Sequence, residues 1–336
     1  MMRWIPRSVV LSLALVFLLG GLVACGGGAG DESSQASASD ERRFLSVGTA
    51  PPGGTFFVVG GALAEVLAEH GGAGWRVTAE ATKGTQENIR RLARGELDLA
   101  LANAAISYFA VRGEGRWDEA MPIRSLLTLA PNVALFVTPG DSGIEQIEDL
   151  RGKRVVVGPA GAGFEHFVEP ILAAHGLTYD DFTPLNATQN GAVDLMADGA
   201  ADAAVLGGGV PTPSITQAAA SREIHFLPFT PERRNELIAG YPFFAAATIP
   251  AETYRGQSTD FEGLDVGSMH LIASADMDDE TAYQIVRTLW EQRDKVAERH
   301  PVGRAIRPGS AQRDTGTPYH PGAIRFYREA GLWPEE

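Results

Sequence analysis

The sequence predicts an α/β protein of two similar lobes, each an open sheet flanked by helices, with a ligand cleft between them. Two observations predict it. Apolar runs alternate with helix-patterned segments across glycine-rich junctions, the pattern of strand-helix units in open α/β sheets. The same plan is also used twice. Leu45 to Val47 leads through Gly48 to Gly54 into a helix from about Phe56 to Glu69, and Arg151 to Val157 leads through Gly158 to Gly163 into one from about Phe164 to Ala174. Each copy closes on a related phrase, Leu92-x-x-Gly95-x-x-Asp98-x-Ala100 and Met196-x-x-Gly199-x-x-Asp202-x-Ala204. In both, a helix ends on an apolar residue, glycine supplies the left-handed position beyond it, and the chain turns into a buried parallel strand.

In chain order, residues 1–24 read as a signal peptide. Arg3 and Arg7 form a basic start, Val9 to Leu19 is an apolar run too short for an ordinary membrane span, and Leu22-Val23-Ala24-Cys25 follows. That tetrapeptide resembles the bacterial lipobox, which implies cleavage before Cys25 and acylation of its thiol; the alternative is a plain secretory signal with an incidental cysteine. Residues 25–43 are then the lipidated cysteine and a flexible tether of glycine, serine, alanine and charge. Lobe 1 is expected from residues 44–130 and 243–336, and lobe 2 from residues 131–242. After Pro131 the apolar run Val133 to Val137 is a strand, and Phe243 to Ile249 reads as a strand crossing back. Residues 264–274 read as one first-lobe strand, and Glu280 to Arg299 as an amphipathic helix with Ile285, Val286, Leu289 and Trp290 on its apolar face.

Composition narrows the function. With 28 Lys and Arg against 42 Asp and Glu, the chain carries a formal net charge of −14, a poor match to nucleic acid or anionic headgroups. Cys25 is the only cysteine, so an intramolecular disulfide, a CxxC zinc site and a catalytic thiol are all excluded. Seven scattered histidines form no HExxH, and no GxSxG elbow occurs. No catalytic residue, metal or cofactor is expected.

The junction Gly48-Thr49-Ala50-Pro51-Pro52-Gly53-Gly54-Thr55 comes within one residue of a phosphate loop, but Gly54 stands where that loop needs its lysine. What remains is a bare helix N-terminus, whose free N–H groups attract an anion such as a carboxylate. Gly53, Gly54, Thr55 and Phe56 are the first candidates; Thr55 either contacts the ligand or only caps the helix. Lys83, Gly84, Thr85 and Asn88 repeat this chemistry at the next helix start, Lys83 being a ligand partner or a solvated loop lysine. Asn103, at the carboxyl end of the strand Leu97 to Leu101, bonds a ligand or shapes a turn. From lobe 2, Ala160, Gly161, Ala162, Gly163 and Phe164 offer a second nest of amides and an apolar wall. Glu165 either accepts from a ligand amine or stabilises its own helix. Gln189 and Pro211 stand at further loops facing the cleft.

Four passages together resemble the TAXI branch of TRAP-transporter solute-binding proteins: Gly53-Gly54-Thr55-Phe56-Phe57, Thr82-Lys83-Gly84-Thr85-Gln86-Glu87-Asn88, Gly158-Pro-Ala-Gly-Ala-Gly163 and His320-Pro-Gly-Ala-Ile-Arg-Phe-Tyr327. The resemblance implies a periplasmic-binding-protein fold and capture of a small organic acid or amino acid, commonly glutamate, glutamine or a related dicarboxylate. It further implies delivery to a sodium-coupled TRAP permease at the membrane, outside the cytoplasm. The family usually has tyrosine near Phe56 and Phe57 and serine near Ala162, so two hydroxyls are missing here. An ABC-transporter receptor or a ligand-sensing partner of a membrane receptor is the alternative. An enzyme on the same fold lacks candidates.

Overall fold

The computed structural model describes residues 43–333; the expected signal peptide, Cys25 and nearly all of the tether lie outside the described residues. The chain runs through β1 (Phe44–Gly48), α1 (Thr55–His70), β2 (Arg76–Glu80), α2 (Thr85–Ala93), β3 (Leu99–Asn103), α3 (Ala104–Ala110) and β4 (Ile123–Thr128). It continues through β5 (Val133–Pro139), β6 (Arg154–Val156), α4 (Glu165–Ala174), β7 (Thr183–Leu185), α5 (Gln189–Ala197), β8 (Ala203–Gly208), α6 (Pro213–Ser221), β9 (Ile224–Phe226) and α7 (Pro231–Gly240). Last come β10 (Phe244–Ile249), β11 (Phe261–Val266), β12 (Met269–Ser274), α8 (Asp279–Glu291), α9 (Arg293–Arg299) and α10 (Pro321–Glu329).

These strands form two sheets. The first has the order β2-β1-β3-β12-β4 and the second β10-β11-β5-β8-β6-β7, with β9 also on β5. The duplicated plan is visible in them. Parallel β2-β1-β3 meets antiparallel β12, and parallel β7-β6-β8 meets antiparallel β5. The repeated phrases do the same work in both. Gly95 and Gly199 each take φ 68°, beyond the reach of most L-residues. The following acids then tie neighbouring strands: Asp98 accepts from the Ser46 amide at 2.8 Å and Asp202 from the Arg154 amide at 2.8 Å.

The helix α1 buries Val59, Leu63, Val66 and Leu67 completely, each worth about 1.5–3 kcal/mol against exposure. They pack with Leu45, Val47 and Leu99 of the first sheet and with Ile285, Val286 and Leu289 of α8 in one core. The expected helix from Glu280 to Arg299 is two, α8 and α9, separated at Gln292.

Two expectations about strand membership are corrected. Phe244–Ile249 does not cross between sheets; it pairs antiparallel with β11 at the edge of the second sheet. Residues 264–274 are not one strand either. The chain leaves the second sheet at Val266, turns through Gly267, which has φ 112°, and enters the first at Met269. The connections between the sheets are therefore Leu129–Asn132 and Gly267–Ser268, running side by side: Leu129 N donates to Met269 O at 2.7 Å and Val266 N to Asn132 O at 2.9 Å. The antiparallel ladder β10-β11 carries six residue pairs, Phe244 to Ile249 against Phe261 to Val266, and these hold the segment in the second sheet.

Candidate functional site

A cavity of about 60 Å³ lies between the two sheets. Its floor and walls come from the ends of parallel strands and the starts of helices, where open α/β sheets place ligands. On one side are Pro51, Gly54, Thr55 and Phe56 at α1, Lys83, Gly84 and Thr85 at α2, and Asn103 and Ile106 at α3. Facing them are Pro159, Ala162, Phe164 and Phe167 around α4, Gln189 of α5 and Gly207 of β8, while Asn132 closes the end at the inter-sheet connection.

The donors are backbone amides. Gly54 is the N-cap of α1 and has no side chain to cap with, so the Thr55 and Phe56 amides have no acceptor among the described residues. Thr55 is the first helical residue, so the reading of it as a cap does not hold; the residue is 1% exposed, and its hydroxyl donates across the cleft to Gly209 O at 3.4 Å. At α2 the Gly84 amide turns back to the Thr82 hydroxyl at 3.1 Å, leaving the Thr85 amide open. The Lys83 ammonium, exposed at the rim, has no ion pair among the described residues.

Other candidates are occupied by the fold. Asn103 accepts from the Ala105 and Ile106 amides at 2.9 and 3.3 Å and donates to Val266 O and Gly267 O at 3.2 and 3.0 Å, so it caps α3 and pins the connection. The Thr85 hydroxyl accepts from the Asn103 amide at 3.0 Å. Asn88 does not line the cavity; fully buried, it donates to Thr49 O at 2.8 Å and Leu101 O at 2.9 Å. Gln189 lines the wall, but its carboxamide is paired with both backbone groups of Gly207, at 2.7 and 3.1 Å. These side chains have donors and acceptors that the adjacent strand ends leave open, and a short reach to them.

Gly53, Ala160, Gly161, Gly163, Glu165 and Pro211 also stand outside the lining. Gly53 packs on Asn190 across the cleft, and Pro211 is exposed. Glu165 begins α4, and its buried Oε2 has no partner among the described residues.

Sequence reasoning missed Pro51, Ile106, Phe167 and above all Asn132. Asn132 is 8% exposed, and its carboxamide lacks a hydrogen-bond partner among the described residues. Its backbone is fixed, the amide donating to Asp265 Oδ1 at 3.0 Å. A polar residue wedged between Ala130-Pro131 and the apolar run Val133–Val137 was the available signal. Asp265, 1% exposed, also accepts from Gly267 N, Ser268 Oγ and Arg313 Nη1. Burial pushes its carboxyl up from the ordinary value, and those bonds and the Arg313 charge oppose the rise.

The halves also meet beside the cavity. His166 of α4 stacks between Phe109 and Trp117, with ring centroids at 5.4 and 6.0 Å, and Arg116 pairs with Glu169 at 2.5 Å. Burial lowers His166 to about 4.

Two sheets enclosing a cleft, joined by paired connections, define a periplasmic-binding-protein fold. The comparisons agree. PhnD1 of Prochlorococcus marinus (MIT 9301), solved in complex with methylphosphonate, matches with a TM-score of 0.54 at 11% identity, over 87% of this chain and 100% of that one. A protein of Bordetella bronchiseptica RB50 matches with a TM-score of 0.52 at 16% identity, over 88% and 91%. The chain belongs to the NMT1-like family, whose model matches residues 47–331.

Proposed function

We propose that this protein is an extracytoplasmic solute-binding protein that captures a small carboxylate and hands it to a membrane permease. The observation that carries the reading is the convergence of the unpaired Thr55, Phe56 and Thr85 amides with the Lys83 ammonium on one cavity between the lobes. Helix N-termini hold anions through N–H groups and the helix dipole, without needing a counter-charge. Closure then rests on the ligand's higher affinity for the closed form. The four passages that resemble the TAXI branch favour a sodium-coupled TRAP permease as the partner and glutamate, glutamine or a dicarboxylate as the first ligands to try. Acylation of Cys25 would hold the protein at the membrane. No catalytic role is assigned to any residue.

The test is isothermal titration of the full chain, unfolded and refolded to strip carried-over ligand, against glutamate, glutamine, 2-oxoglutarate, succinate, fumarate, neutral amino acids and methylphosphonate. Micromolar or tighter binding of one carboxylate, with the ligand recovered unchanged, is expected. Binding of methylphosphonate alone would replace the carboxylate by a phosphonate.

A further inference from the structure

Resting on the reading of this cleft as a carboxylate site, we propose that the ligand carries no ammonium group: it is a compact carboxylate whose other polar group is a neutral oxygen, bound by the Asn132 side-chain amide. Three observations carry this. Among the described residues lining the cavity there is no aspartate or glutamate, and the side-chain charge present is the positive Lys83. An ammonium held there would lose water and gain no carboxylate partner from the lining, which is unfavourable for any unpaired ion. Glu165, the acid nearest in sequence to the lobe 2 wall, stands outside the lining.

Asn132 supplies the second point. It is more than nine-tenths buried, faces the cavity, and has both its donor and acceptor atoms unused among the described residues, whereas the Asn103 carboxamide is fully engaged and that of Gln189 is held by both backbone groups of Gly207. The Asn132 carboxamide has no protein partner among the described residues and opens on the cavity, so its N–H is available to an oxygen of a ligand held there. The walls beside it, Ile106, Phe164 and Phe167, are apolar and suit a short hydrocarbon body. The third point is size. One water occupies roughly 10–15 Å³ on the scale where this cavity measures about 60 Å³, which favours a skeleton of few atoms.

A 2-oxo acid meets all three conditions, and its matched amino acid fails the first. The experiment titrates the stripped full chain with pairs that differ only at C2: pyruvate against alanine, 2-oxobutanoate against 2-aminobutanoate, and 2-oxoglutarate against glutamate. The oxo acid is expected to bind at least tenfold tighter within the pairs that bind. Asn132→Ala should cost the oxo acid about tenfold, and Asn132→Asp should move the preference toward the amino acid, with melting curves confirming that both variants fold. An amino acid that binds as well as its oxo partner overturns this inference and leaves the carboxylate reading standing. Silence across all six overturns this inference, and the carboxylate reading falls with it when succinate, fumarate and glutamine are silent too.

Discussion

The Gln86 backbone amide donates to the Ala162 carbonyl at 3.2 Å, joining the start of α2 to the loop before α4 across the cleft. One of the helix-terminal amides is thus spent on holding the lobes together rather than on a ligand. Glycines make the approach possible: a Cβ on Gly163, which has φ 92°, would lie 3.1 Å from Ile106 and 3.2 Å from Gln86 of the opposite lobe. Gly163→Val should therefore prop the cleft open. Ligand affinity is expected to fall at least 100-fold, and small-angle scattering should show no compaction when ligand is added.

His166 predicts how closure depends on pH. Its value of about 4 in this structure, where the two halves meet around it, lies below the free value of about 6.5, with burial as the main cause; Glu169 opposes the fall, and Arg116 and Arg90 add to it. Glu165 and Tyr179 complete the surroundings, both near the same charged cluster. A group whose value is depressed on closure stabilises the closed form above about 6.5 and loses that contribution as the pH falls toward 4. Ligand affinity should consequently weaken by up to about tenfold per pH unit in that window. His166→Phe keeps the stack on Phe109 and Trp117, and titrations of it between pH 4.5 and 7.5 should lose most of the slope.

Asp265 governs the connection between lobes. Its carboxylate gathers Asn132 N, Gly267 N, Ser268 Oγ and the Arg313 guanidinium. Asp265→Ala leaves those donors without an acceptor in a buried place, and the expected loss is about 3 kcal/mol of stability, as for other broken buried pairs. Urea unfolding measures it. A loss below about 1 kcal/mol would mean that water replaces the carboxylate.

The duplicated architecture was legible because its signals are local. Gly95 and Gly199 end their helices where the pattern required, and Asp98 and Asp202 sit at the same point of the two sheets. The fate of residues 243–274 was not legible, because it depends on whether β11 pairs with β5 or continues into β12, a choice made by partners over 100 residues away. In the site, the glycine-rich helix starts pointed to Gly54, Thr55, Gly84 and Thr85, which line the cavity, and also to Gly53, Ala160, Gly161 and Gly163, which do not. The side-chain contribution was not legible: Asn88, Asn103 and Gln189 look as suited to a ligand as Asn132 does, and only their hydrogen-bond partners separate them.

Lys83 offers a direct check on how the anion is held. It is the charged residue at the rim, with no ion pair among the described residues, while the amides beneath it carry no net charge. If the helix termini do most of the work, Lys83→Ala should weaken carboxylate binding only about tenfold and act mainly on the association rate, because an exposed charge steers an anion more than it holds one. Raising salt should slow association to the native protein and leave the variant nearly unaffected, since exposed charges are screened within about 10 Å at 0.1 M salt. Stopped-flow mixing at two ionic strengths separates these outcomes. A loss of 1,000-fold or more, expressed in dissociation, would instead make Lys83 the principal anchor and reduce the helix termini to a supporting role.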